Sequence, residues 1–187
     1  MAGRCSGAHQ MLEPDSAQSQ PRPVTVKSPA LEPGRPMPRQ YTADGLNISP
    51  PLTWTNVPAA VKQLVVTCQD DDEVVPLQSP FLHWVVYNLP ATAMGLPEGV
   101  PWAEVVTEPP DVAGAFQAYT AFSYPGYRGP QPLPGHLHHY RFTVYAIDTD
   151  LHWKPSLFAN AVLTAIKGHV IEQGEIAVTY TRELRPR

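Results

Sequence analysis

The chain has 187 residues, 43% of them hydrophobic and 16% charged, with a formal net charge of −4 at neutral pH. This composition fits one globular domain with a real core and lies outside the disordered class. It supplies no basic field for nucleic acid or for an anionic membrane surface, so a bound anion would have to be held by local geometry.

The 23 prolines disfavour long helices and favour strands joined by irregular loops. The two cysteines, Cys5 and Cys68, suggest neither a disulfide framework nor a zinc site. The N-terminus lacks the apolar core of a signal peptide, and no run reaches the roughly 18 apolar residues of a membrane span. A soluble, cytoplasmic protein without stable membrane insertion is the expectation.

In chain order, residues 1–20 are polar and aperiodic and read as a disordered tail, with one domain over 21–187. PVTVKSP (Pro23–Pro29) reads as a short strand, and LEPGRPMPRQYTADGLNISPPLTW as loop with brief extended pieces. KQLVVTCQ (Lys62–Gln69) and FLHWVVYNL (Phe81–Leu89) are near-continuous apolar strands, which implies burial on both faces. The segment Ala91–Pro134, rich in Gly, Pro and Tyr, is weakly patterned and long enough to suggest a functional loop. HHYRFTVYAID (His138–Asp148) reads as a third strand. SLFANAVLTAIKG (Ser156–Gly168) has helical spacing, with Ser156 placed to cap its start and Gly168 its end. EIAVTYTR (Glu175–Arg182) reads as a closing strand. The sum is a mainly β domain.

Three polar groups stand out. QDDDE (Gln69–Glu73) sets four acids at the end of a buried strand, where mutual repulsion raises at least one carboxyl pKa unless donors or cations lie close. His83 sits inside an apolar strand, and a buried imidazole requires a partner or a task. In GHLHHY, His138 and Tyr140 are two residues apart and share a strand face. An acid, two imidazoles and a phenol are suited to holding a small oxyanion. The same pattern also suits a satisfied core histidine and solvated acids, and the residues alone leave both readings open. There is no glycine-rich phosphate loop, GxSxG elbow or HExxH. No catalytic residue, metal ligand or cofactor is therefore expected.

The motifs SPFLHWVVYNLPA, DGLNISPPLTWTNVPA, GYRGPQPLPGHLHHYRFTVYAID and AIKGHVIEQGEIAVTYTR resemble those of the phosphatidylethanolamine-binding protein family. The likeness is to its bacterial, Raf-kinase-inhibitor-like branch and runs from about Val24 to Arg182. The resemblance implies a β-sandwich with one or two peripheral helices and a small anion pocket. Carried over by motif, the pocket holds His83, the Gly129–Pro130 turn, His138 and Tyr140, with His83 donating to a bound phosphate or carboxylate. Protonated imidazoles near an ordinary pKa of about 6.5 would then strengthen binding as pH falls.

The chain departs from the family where a DPDAP-type motif is replaced by DDDEVVP. Counting forward from Trp54 assigns the pocket acid to Asp70; counting back from His83 and Pro76 assigns it to Asp72, the preferred choice because Pro76 then keeps the motif's last proline. An HRY-type motif carries His139 in place of arginine, and TAFSYPGY lacks the family's asparagine. The functional expectation is a non-enzymatic module for phosphate-bearing head groups or other small anions, with a kinase or protease as a possible protein partner. The alternatives are a hydrolase using the Asp and His groups, or an interaction protein with a vestigial pocket.

Overall fold

The computed structural model describes residues 22–73 and 80–183. The 1–20 tail and Pro76 lie outside the described residues. The elements are β1 (Thr25–Lys27), a 3-10 turn at Arg39–Tyr41, β2 (Leu52–Thr55), β3 (Gln63–Asp70), β4 (Phe81–Pro90), β5 (Gly95–Leu96), β6 (Phe116–Gln117), β7 (Leu137–Ile147), α1 (Ala159–Ile166) and β8 (Val170–Thr181).

They form two antiparallel sheets, one of order β1-β2-β5 and one of order β6-β4-β3-β7-β8. The apolar runs of β3 and β4 are central because both faces of the larger sheet are covered. On one face Leu64, Val66, Trp84, Val86, Phe142 and Val144 pack with Val26, Leu52 and Trp54 of the smaller sheet. On the other, Val65, Val85, Tyr87 and Ile147 pack against Ala159, Val162 and Ile166 of α1. Full burial of a Val or Ile side chain contributes roughly 1.5–3 kcal/mol, so α1 is held by this seam rather than by its own propensity. The result is sandwich-like and mainly β, with one α-helix among the described residues.

Two terminal details differ from the sequence expectation. Ser156 does not cap the helix: its φ is 66°, and its Oγ donates to Glu104 Oε2 at 2.9 Å. α1 instead begins after Phe158 without a side-chain cap, anchored by the Ala159 N–H on the Tyr119 carbonyl at 2.8 Å. The closing strand starts at Val170, five residues before Glu175, and passes through Gly174. A Cβ at Gly174 would lie 2.0 Å from the Val24 carbonyl oxygen, so only glycine lets the strand continue beneath the segment entering β1.

A buried amide ties the long segment after β5 to β4. Buried Gln117 accepts a hydrogen bond from Trp84 Nε1 at 2.7 Å and donates to the carbonyls of Pro101 at 2.7 Å and Ala103 at 2.8 Å. Gln117→Leu keeps the volume but leaves the Trp84 N–H and two carbonyls unpaired. Denaturant unfolding should show a loss of about 3 kcal/mol; a loss within 0.5 kcal/mol (about the noise of a surface substitution) would show that the segment is held elsewhere.

Candidate functional site

Antiparallel pairing brings the end of β3 beside the starts of β4 and β7, so Asp70 lies opposite both Phe81 and Tyr140. At this edge a cavity of about 260 Å³ is lined by Asp70, His83, Arg128, Gly129 and Tyr140. Phe81, Phe122, Glu73, Gln131 and Pro132 complete its wall.

His83 reaches the cavity through a β-bulge. Cys68 pairs with Trp84 and Gln69 with Leu82, which leaves His83 as the extra residue of β4, with no residue opposite it on β3. Its carbonyl accepts the Arg128 N–H at 3.0 Å, and its Nδ1 lies 2.7 Å from the Arg128 carbonyl oxygen. A carbonyl can only accept, so Nδ1 carries the proton. The ring is 4% exposed. Burial pulls its pKa from 6.5 down to about 4, outweighing the bond to Arg128 and the nearby Asp70, which favour the charged form. The imidazole at this position is therefore neutral near pH 7, contrary to the expectation of a cationic donor.

Asp70, not Asp72, is the cavity acid. Asp70 Oδ2 accepts from His138 Nδ1 at 2.7 Å, and Oδ1 accepts the N–H groups of Asp72 at 2.9 Å and Glu73 at 3.1 Å. Asp72 does not line the cavity; its carboxylate takes the His139 N–H at 2.6 Å and pairs with the His139 ring at 2.8 Å. The forward count from Trp54 lands on the residue that lines the cavity: Asp70 is the last residue of β3 and is buried there. Two further acids of the run have partners on β7. Asp71 pairs with Arg141 at 2.5 Å, and the bond from His139 lowers the Asp72 pKa.

His138 and Tyr140 stack with ring centroids 6.3 Å apart, and the Tyr140 ring meets His83 edge-on at 5.3 Å. His138 orients on Asp70 and is nearly buried, while Tyr140 lines the cavity. Burial, followed by the Asp70 carboxylate, pushes the Tyr140 hydroxyl well above the ordinary tyrosine value, so it remains a donor.

Gly129 is required by close approach: a Cβ there would lie 2.3 Å from the Tyr41 carbonyl oxygen. Its N–H is already bonded to Asn47 Oδ1 at 2.7 Å. Pro130 is buried and does not line the cavity; its carbonyl accepts the Ala43 N–H at 3.0 Å. The Gly129–Pro130 turn thus shapes the cavity without offering it a donor. The sequence reading missed Arg128, which lies beside Gly129 in the quoted GYRGPQP stretch, and the aromatic walls Phe81 and Phe122. The Arg128 guanidinium lies over Phe122 at 5.7 Å, donates to Gln131 Oε1 at 2.9 Å, and has a buried Nε without a partner among the described residues.

Asp70, Glu73 and His138 bring potential ligand atoms within 4.8 Å of one another. Asp70 already accepts three hydrogen bonds and His138 Nδ1 is one of the donors, so this is a hydrogen-bonded cluster rather than an open set of metal donors. A larger groove of about 880 Å³ runs past Met37, Arg39, Tyr180 and Arg182. There Asp44 accepts from Tyr180 at 2.9 Å and pairs with Arg182 at 3.1 Å, so these three groups satisfy one another. The smaller cavity is the candidate site.

The depressed His83 pKa links to stability. Below pH 6.5 the unfolded ring takes up a proton that the native ring refuses until about pH 4. Stability from this source is complete above pH 6.5 and falls as pH drops toward 4, by about 3 kcal/mol in all. Urea unfolding of His83→Gln should show a correspondingly shallower acid slope than the parent protein. Equal slopes would mean that the native ring is protonated.

A family model described as phosphatidylethanolamine-binding protein matches residues 27–181. A UPF0098 protein from Methanothermobacter thermautotrophicus is 38% identical over 159 residues, covering 85% of this chain and 99% of that protein. A solved structure of a phosphatidylethanolamine-binding protein homolog from Chlamydia trachomatis is 32% identical, with a TM-score of 0.72 over 86% of this chain and 99% of its own. Escherichia coli YbcL, described as a member of the mammalian family, is 29% identical with a TM-score of 0.73, covering 88% of this chain and all of that one (100%). Motifs and fold agree with these likenesses, and the chain belongs to the phosphatidylethanolamine-binding protein family, in its bacterial and archaeal branch.

Proposed function

We propose that this protein is a binding module whose cavity holds a small oxyanion-bearing ligand, with phosphate-bearing head groups as the leading class. One observation carries the reading: a phenol donor, a guanidinium and a buried histidine line the same cavity of about 260 Å³. A cavity of this size accommodates a head group and leaves an acyl chain outside. Arg128 supplies the cation against a net charge of −4.

The module is non-enzymatic in this reading. Cys68 is fully buried, and burial, followed by Asp70 and Asp71, raises its thiol well above the ordinary value, which leaves no activated thiolate there. Donors alone stabilise a bound oxyanion but provide no attacking group. Inhibition of a kinase or a protease would be a further consequence of the same module.

Calorimetric titration with phenyl phosphate should give saturable binding, weakened roughly ten-fold in Arg128→Gln by loss of a charge-assisted bond. Activated phosphate and carboxylate esters should show no turnover above buffer. Turnover that vanishes in His83→Ala, with thermal stability unchanged, would replace this reading with a hydrolase.

A further inference from the structure

The tautomer of His83 constrains what can occupy the cavity. Nδ1 donates to the Arg128 carbonyl at 2.7 Å, so a neutral ring turns an electron pair, not a proton, outward at Nε2. Phe81 at 5.3 Å, Phe122 at 5.4 Å and Tyr140 at 5.3 Å enclose the ring and oppose its turning over. No group among the described residues donates to Nε2, and the residue lines the cavity.

The ionisable groups around the ring come from every side. Asp70 approaches from β3, Glu73 from the turn after it, His138 and Tyr140 from β7, and Arg128 from the loop. Burial opposes a charged ring and outweighs the bond to the Arg128 carbonyl and the Asp70 charge, and the Arg128 and His138 charges add to its effect. A deprotonated ligand oxygen against Nε2 would set one acceptor against another and leave both unsatisfied. A ligand hydroxyl removes that conflict, while its remaining oxygens meet the Tyr140 hydroxyl and the Arg128 guanidinium.

We infer that the ligand donates an O–H to Nε2 of His83, so the cavity selects a protonated oxyanion, such as a phosphomonoester or phosphonate monoanion, over anions of like shape that carry no proton. The inference rests on the oxyanion reading above and narrows its ligand class. It ranks sulfonates, sulfate esters and phosphodiesters below phosphomonoesters and phosphonate monoanions, so within the head-group class the free monoester is preferred to the lipid-linked diester.

Three probes separate the two levels: phenylphosphonate, its monomethyl ester and benzenesulfonate. Near pH 6 each is a monoanion, and only the first retains an O–H. Calorimetry of the full chain, run in two buffers of different ionisation enthalpy, reads affinity and proton uptake together. Phenylphosphonate should bind roughly ten-fold or more tightly than the other two, because only it satisfies Nε2. It should bind without proton uptake by the protein, and its advantage should shrink as pH rises past its second ionisation. Equal affinity for all three would overturn the inference and leave the oxyanion pocket standing. Benzenesulfonate bound with uptake of one proton would also overturn it, since His83 would then be the donor. Binding of none of the three would overturn the oxyanion reading itself, and this inference with it.

Discussion

The site depends on the two-point contact between His83 and Arg128. The bulge in β4 frees the His83 backbone and ring from the sheet's own pairing, and the Arg128 peptide takes up both: its N–H on the His83 carbonyl, its carbonyl on Nδ1. A loop far along the chain is thereby docked on the central sheet, and the same bond assigns the imidazole proton. Around that contact the Tyr127 hydroxyl donates to the Tyr41 carbonyl at 2.7 Å, and Asn47 and Ala43 hold Gly129 and Pro130. The cavity wall is therefore a set of mutually bonded backbone segments, a rigid frame for a small ligand.

A second constraint is electrostatic. Four consecutive acids at a strand end would destabilise the sheet edge if left unpaired. Each of the three aspartates instead meets a partner on β7: Asp70 with His138, Asp71 with Arg141, Asp72 with His139. The antiparallel register makes this possible, because Asp70 pairs with Tyr140 and the Asp71 N–H continues the ladder onto the His139 carbonyl at 2.9 Å. His139, standing where the family carries arginine, serves here as the partner of Asp72. Exposed pairs of this kind contribute little to stability one by one. Their effect is to hold the 70–73 turn on β7, so that Asp70 faces inward while its neighbours face solvent.

Much of the architecture was legible in the chain. β3, β4 and β7 are apolar runs long enough to name themselves as buried strands, and α1 announces itself by its spacing. β2, β5 and β6 were not legible as strands, since two to four residues carry no period and pair only because the core beneath them is already formed. The N-terminal half of β8 was also missed. Its polar residues and Gly174 obscure a strand that depends on the backbone of Val24 passing close by.

The site divides the same way. By itself the sequence determined that His83 lies in an apolar strand, that His138 and Tyr140 share a strand face and that the QDDDE acids follow a buried strand, because residue type and alternation are written in the chain. Their meeting in one pocket was what the family resemblance implied. Only the tertiary structure decided that the acid is Asp70, that Pro130 supports the wall without lining it, and that Arg128 and two phenylalanines complete the cavity. It also decided that His83 is neutral. Burial sets that charge state and a carbonyl acceptor 45 residues away fixes the tautomer, and neither is a property of the strand in which the histidine is found.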